Sequence, residues 1–292
     1  MDGMIRWQKT KPYLMVLPSV VVVLALFMGG FLQGIKRSFT HAQTNTLTGM
    51  YYRKLLGDSE FWESLWLTFR ISGLTSLMSG LFAILIMCGL FFMLSSRGEE
   101  KAIKYRRLLH IPMLFPYIVA AYVIGLLFQQ SGFISRLFYS VGLIDTIQAF
   151  PVLINDRFGW GIIMAYVWKT VPFMVLMMFP VLLRVQNGWY QAAQTLGASR
   201  LRFFIHVVIP MLERTWLLSV FIIFAFTFSA FEIPYFLGVT YPKTLSVLAH
   251  HIYTNGDLSD RPLAMAINAI LTSITLCLGY ISYRAYNKRS IK

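Results

Sequence analysis

The run Gln191-Ala192-Ala193-Gln194-Thr195-Leu196-Gly197, closing at Val207-Val208-Ile209-Pro210, lies between two apolar segments of membrane length. In the second half of the chain it is the one loop-like stretch that is rich in small, polar and basic residues together. This composition predicts a short polar helix over 188–199, on the cytosolic side of a membrane. Arg200 and Arg202 follow it, and Phe203, Phe204, Val207 and Val208 lead into the next apolar segment. Ala192-Ala193 and Leu196-Gly197-Ala198 offer little side-chain bulk, so another protein can approach the backbone closely. The physics leaves two readings open: a helix that docks into a cleft on a partner, or a partnerless helix resting at the membrane interface.

Composition places this run in a membrane protein. Of the 292 residues, 57% are hydrophobic and 13% charged, the latter about half the share of a soluble domain. Mean hydropathy is +0.62. Six segments, 12–35, 65–94, 111–130, 160–183, 215–236 and 263–283, are long enough to cross about 30 Å of hydrocarbon. The first has a basic start, Arg6, Lys9 and Lys11, as a secretory signal would. Its apolar stretch is too long for one and lacks a small-residue cleavage site, so a retained span is predicted. The fold class is therefore all-α and polytopic, a single membrane domain over 1–292 without linker, soluble domain or visible repeat.

Charge sets the orientation. With the N-terminus in the cytosol, pieces 1–11, 95–110, 184–214 and 284–292 hold 16 of the 26 Lys and Arg, and the outer pieces hold 8. This positive-inside bias puts both termini in the cytosol, as six spans require. The formal charge of +14 is scattered over separate loops rather than gathered into a nucleic-acid surface. Cys88 and Cys277 both fall within spans and read as packing residues, not as a disulfide or metal pair.

Within the spans, Ser72, Ser76 and Gly80 at four-residue spacing present a small-residue face suited to close helix packing. Phe133 to Phe138 reads as a short helix lying in the interface. Lys169 stands beside Pro172 in a span that also holds Pro180, predicting either a broken helix lining a polar cavity or a kink with a snorkelling lysine. Glu232 is a carboxylate at the end of a span. It either faces a polar path, where it favours a cationic or amine-bearing solute, or is paired or wetted at the interface. His250 and His251 lack further ligands at metal-site spacing.

The 191–210 stretch resembles the signature of permease subunits of binding-protein-dependent ABC importers, which reads E-A-A, three residues, G, nine residues, I-x-L-P. Gln191-Ala192-Ala193 takes the first place, Gly197 follows, and Val207, Ile209 and Pro210 close it at matching spacing. Gln191 departs from the pattern by removing a negative charge that in the family is expected to face the ATPase. Trp168 to Phe173 and Phe231-Glu232-Ile233-Pro234-Tyr235-Phe236-Leu237-Gly238 are also similar to the family. The resemblance implies a core of five helices within 65–283 and a peripheral first helix, 12–35. It implies a coupling helix between helices 4 and 5, with Gln191, Ala192, Ala193, Leu196, Gly197, Ala198 and Pro210 as its motif residues.

The same resemblance implies a bacterial cytoplasmic membrane location and two ATP-binding subunits. It further implies an external substrate-binding protein and a second permease, which the imperfect motif suggests is a different chain. This chain has no G-x-x-x-x-G-K-[ST] loop, so ATP and Mg are expected on the partner ATPase, with no cofactor held here. The flanks at 231–243 look closest to permeases for polyamines, sulfate, iron, thiamine and phosphonates. A polyamine-like or aminophosphonate-like solute is therefore expected, with Glu232, Lys169 and Tyr235 as path residues. The rival readings are an ion-gradient-driven secondary transporter, which calls for more intramembrane carboxylates, and a membrane enzyme, which calls for a cluster of catalytic side chains.

Overall fold

In a bilayer every backbone N–H and C=O must find its partner inside the chain, so long apolar segments become helices. The computed structural model, which describes residues 2–97, 107–186 and 189–290, follows this rule. Among the described residues its β structure is one isolated bridge, Thr40 to Leu47. Most of the expected cytosolic piece 95–110 and the expected helix start at 188 lie outside the described residues. Six helical segments are long and apolar enough to span: Tyr13–Ser38, Ser59–Leu94, Tyr117–Ser140, Trp160–Val185, Arg200–Ser229 and Leu258–Ser282.

The chain divides into two compact units, one of Met1–Asp58 and Ala249–Ile270, the other of Ser59–Leu248 and Leu271–Lys292. In the first, α1 (Asp2–Ser38) carries the first span. None of that span's apolar window is buried within the chain. After it, loop 39–48 is pinned to α2 (Met50–Leu56) by two tyrosines. The Tyr52 hydroxyl lies 2.7 Å from Ser38 Oγ, and the Tyr51 hydroxyl accepts from the Ala42 N–H at 3.1 Å.

In the second unit, α3 (Ser59–Arg97) is followed by α4 (Ile111–Leu114), α5 (Tyr117–Phe128) and α6 (Phe133–Ser140). Then come α7 (Trp160–Gln186), α8 (Trp189–Thr195) and α9 (Arg200–Phe203). A π-helical turn, Phe204–Val208, joins α9 to α10 (Ile209–Ser229), and α11 (Glu232–Leu237) follows. The last two helices, α12 (Leu245–Asn255) and α13 (Arg261–Ser290), each run from one unit into the other.

The centre of the second unit is α7, whose apolar window is 67% buried. Of the two alternatives at Pro172, the broken helix does not occur: α7 is one helix through Pro172 and Pro180. Val171, Met174, Val175, Met178 and Phe179 are buried around these prolines, and this packing holds the helix where propensity alone would break it. The small face of α3 is buried as expected, with Ser72 and Ser76 enclosed. At Gly80 a Cβ would stand 2.9 Å from Trp216 Nε1, and that indole N–H donates to the Gly80 carbonyl at 3.0 Å. Only a residue without a side chain lets α10 come this close.

Several span boundaries differ from the expected ones, and two of the differences arise at a proline. The third span begins at Tyr117, not 111, because Pro116 lacks the N–H that would donate to the Pro112 carbonyl; the helix stops at Leu114 and restarts. The fifth helix ends at Ser229, not 236, and Ala230 is extended. Pro234, four residues on, has no N–H for the Ala230 carbonyl. That carbonyl instead accepts from Ser246 Oγ at 2.7 Å. The short interfacial helix expected near Phe133 is present as α6, preceded by its own break at Gln129–Gly132.

Candidate functional site

The motif helix is shorter than expected. α8 ends at Thr195 instead of 199, because Gly197 takes a left-handed φ of 78°. The Ala198 N–H donates to the Ala193 carbonyl and the Gly197 N–H to the Gln194 carbonyl, both at 3.0 Å. These two bonds form a Schellman cap, which a glycine at this position makes without a Cβ penalty. Ser199 then starts α9 by accepting from the Arg202 N–H. Leu196, Gly197 and Ala198 are therefore a turn between two short helices rather than part of one.

Anchoring comes from α3. At 39 residues it is about 58 Å long, well beyond the hydrocarbon thickness. Its far end places Phe91 against Tyr190, Phe203 and Phe204, with ring centroids 5.4–6.0 Å apart. Tyr190 is buried, and its hydroxyl accepts from Gln194 Nε2 at 3.0 Å. This fixes one face of α8 to the bundle and turns the other outward. Gln191, Ala192 and Gly197 are exposed, Ala193 and Ala198 half-buried, and Leu196 is 87% exposed. A leucine left that open on a rigid turn is a ready anchor for a partner surface. Pro210 is not part of this surface: it stands in the first turn of α10, about 15 Å along the helix from Arg200.

Deeper in the unit lies a cavity of about 230 Å³, between α4, α5, α7 and α10. Its walls include Tyr117, Lys169, Phe173 and Phe226. Lys169 does not snorkel. Its ammonium donates to the Pro112 carbonyl at 2.7 Å and to the Phe115 carbonyl, and it sits 4.8 Å from the Tyr117 ring centre. The lysine thus supplies the donor that Pro116 withholds, and holds the break between α4 and α5 in place. Tyr166 is wholly buried behind Tyr117 and Phe226, and its hydroxyl has no partner among the described residues.

Glu232 is exposed, at the start of α11, and no ion pair with a cation is formed by it among the described residues. Tyr235 is 55% exposed and packs on Phe231 at 4.9 Å; it is not in the cavity wall. Arg70, within the second span, was not singled out by its sequence context. It donates to the Arg157 carbonyl at 2.8 Å and covers the Phe158 ring at 4.5 Å, which ties the 150–159 loop to α3. Nothing in the local pattern signals a bond across 87 positions.

An all-helical bundle with a central buried helix, a cavity walled mostly by apolar side chains and a capped helix at one end is the architecture of a membrane-embedded protein. The chain belongs to the family described as binding-protein-dependent transport system inner membrane component, which matches residues 13–292. It is 27% identical, over 84% of both chains, to the trehalose/maltose transport system permease protein MalF of Thermococcus litoralis. It is also 27% identical to the sulfate transport system permease protein CysT of Salmonella typhimurium, over 59% of this chain and 58% of that one. Its fold matches that of a chain in a bacterial alginate ABC transporter in complex with an alginate pentasaccharide-bound periplasmic protein. There the TM-score is 0.74 at 17% identity, covering 96% of this chain and 98% of that one. The chain is thus a membrane subunit of an ABC-type importer.

Proposed function

We propose that this chain forms part of the path by which a carbohydrate-class solute crosses the cytoplasmic membrane, taking it from an external binding protein. ATP hydrolysis in partner subunits drives the cycle, and their movement reaches the bundle through α8 and the Leu196–Ala198 turn. Both termini lie in the cytosol. A second permease completes the path. The single observation that carries the coupling role is the turn itself: a Schellman-capped helix, tied to α3 through Phe91 and Tyr190, that leaves Leu196 almost fully open.

For the solute, the cavity supports a sugar-type reading. Its wall offers the faces of Tyr117, Phe173 and Phe226, platforms on which a sugar ring stacks, and its one charge, Lys169, is engaged with backbone carbonyls. The MalF relative and the alginate importer agree with this reading. A cationic solute is the second reading, carried by Glu232, which is exposed and without a cation partner among the described residues.

The test is uptake by the complete complex in proteoliposomes, with its binding protein supplied outside and ATP inside. Uptake of an oligosaccharide that stops with vanadate agrees with the proposal. Uptake of a polyamine in its place moves the assignment to the second reading. Transport that persists without ATP and follows an ion gradient refutes the importer mechanism.

A further inference from the structure

A second pocket, of about 300 Å³, lies wholly within the first unit, at the end of the first span. Arg37, in the last turn of α1, and Arg261, the first residue of α13, both line it. Four spans separate these two positions in the chain, an even number, so both sit on the same membrane face. On the orientation proposed above that face is the outer one. Neither arginine forms an ion pair among the described residues. The adjacent acid, Asp260, is instead engaged with Lys54 at 3.9 Å. The Arg261 guanidinium rests 4.9 Å from the centre of the Tyr253 ring, a stacking contact that leaves its N–H edge available.

The remaining polar wall is also built from donors. His41 Nδ1 accepts from the N–H groups of Gln43 and Thr44, both at 3.3 Å, which leaves the ring proton on Nε2. Asn45, held at a left-handed φ of 54° with its N–H on the His41 carbonyl, adds a side-chain amide. The lining holds no carboxylate. Leu258 and Met265 make the opposite wall apolar. Beside the pocket, the side chains of α1 from Tyr13 to Gln33 are all exposed, and in a span that exposure is to lipid.

We infer that this pocket binds the phosphate of an anionic phospholipid head group. Two guanidinium groups, an imidazole N–H and an amide suit a phosphodiester, and the pocket lies at head-group depth, where a span ends. The apolar wall and the open flank of α1 receive the glycerol and upper acyl chains. A free phosphate or a protein carboxylate meets the same charges but leaves that wall unused.

The experiment uses the complete, delipidated complex, titrated with phosphatidylglycerol or phosphatidylcholine and read by native mass spectrometry. Phosphatidylglycerol is expected to bind about tenfold more tightly than phosphatidylcholine, and the Arg37→Gln/Arg261→Gln double variant to lose that preference. Asn45→Asp, which places a carboxylate in the pocket with almost no change of shape, is expected to weaken phosphatidylglycerol binding if the double variant fails to assemble. Equal binding of the two lipids, or unchanged phosphatidylglycerol binding in an assembled variant, overturns the inference. Displacement of the lipid by millimolar inorganic phosphate assigns the pocket to a free anion and also overturns it. Loss of binding-protein-stimulated ATPase activity with lipid binding intact assigns it to a protein contact, with the same consequence. None of these outcomes depends on the identity of the transported solute.

Discussion

Lys169 Nζ donates at 2.7 Å to the carbonyl of Pro112, the group that Pro116 leaves without a helical donor. The pair is 57 positions apart in sequence. A lysine buried in a span is expensive unless its N–H groups are satisfied. Here it is satisfied by the Pro112 and Phe115 carbonyls at the break between α4 and α5. If this role is the dominant one, Lys169→Met destabilises the complex by about 1–3 kcal/mol through the orphaned carbonyls. A thermal-unfolding scan of the purified complex would show a lowered midpoint. An unchanged midpoint with a weakened apparent affinity for solute would make Lys169 a path residue instead.

Ser246 does for Ala230 what Lys169 does for Pro112, donating to a carbonyl that Pro234 cannot serve. Ser246→Ala is expected to cost about 1–2 kcal/mol and to loosen α11, which carries Glu232. Hydrogen exchange across 230–238 measures this directly: protection should fall there while that of α7 stays the same.

The Gly80 and Trp216 contact is steric as well as polar. Gly80→Ala puts a methyl group within van der Waals overlap of the indole, and overpacking of this kind costs about 1–3 kcal/mol. Trp216→Phe removes only the hydrogen bond and should cost about 1 kcal/mol. A double variant less destabilised than the sum of the singles would show that the two positions are coupled.

At Gly197 the left-handed φ of 78° makes the substitution series informative. No heavy atom lies within 4 Å of the position a Cβ would take, so strain, not crowding, sets the cost. Gly197→Val should cost more than Gly197→Ala, itself about 1 kcal/mol, while Gly197→Asn should be nearly neutral for folding. ATPase activity coupled to uptake, measured across the three variants, is expected to fall in the same order.

Much of this molecule could be read from its sequence because membrane physics leaves few choices. Six apolar runs became six spans. The errors have a common cause. Window hydropathy does not see that Pro116 and Pro234 each remove a donor four residues after a carbonyl, so both neighbouring boundaries were misplaced. Nor does it show which alternative holds at Pro172, where buried neighbours keep α7 whole. The expected motif helix runs past Thr195 because composition shows Gly197 as small and not its left-handed φ. Arg70 and Trp216 act across 87 and 136 positions, and no local pattern signals such partners.

The coupling role of the α8 turn is tested most directly at Leu196, whose exposure means that a substitution there carries little folding cost. The tagged chain, purified from its native membrane with and without Leu196→Asp, would be examined for a co-purifying ATPase. The account predicts that the wild-type chain brings down an ATPase and that Leu196→Asp releases it while the melting temperature of the membrane subunit is kept. An ATPase that stays bound to the variant with full coupled activity, or a wild-type chain that transports with no ATPase present, would contradict it.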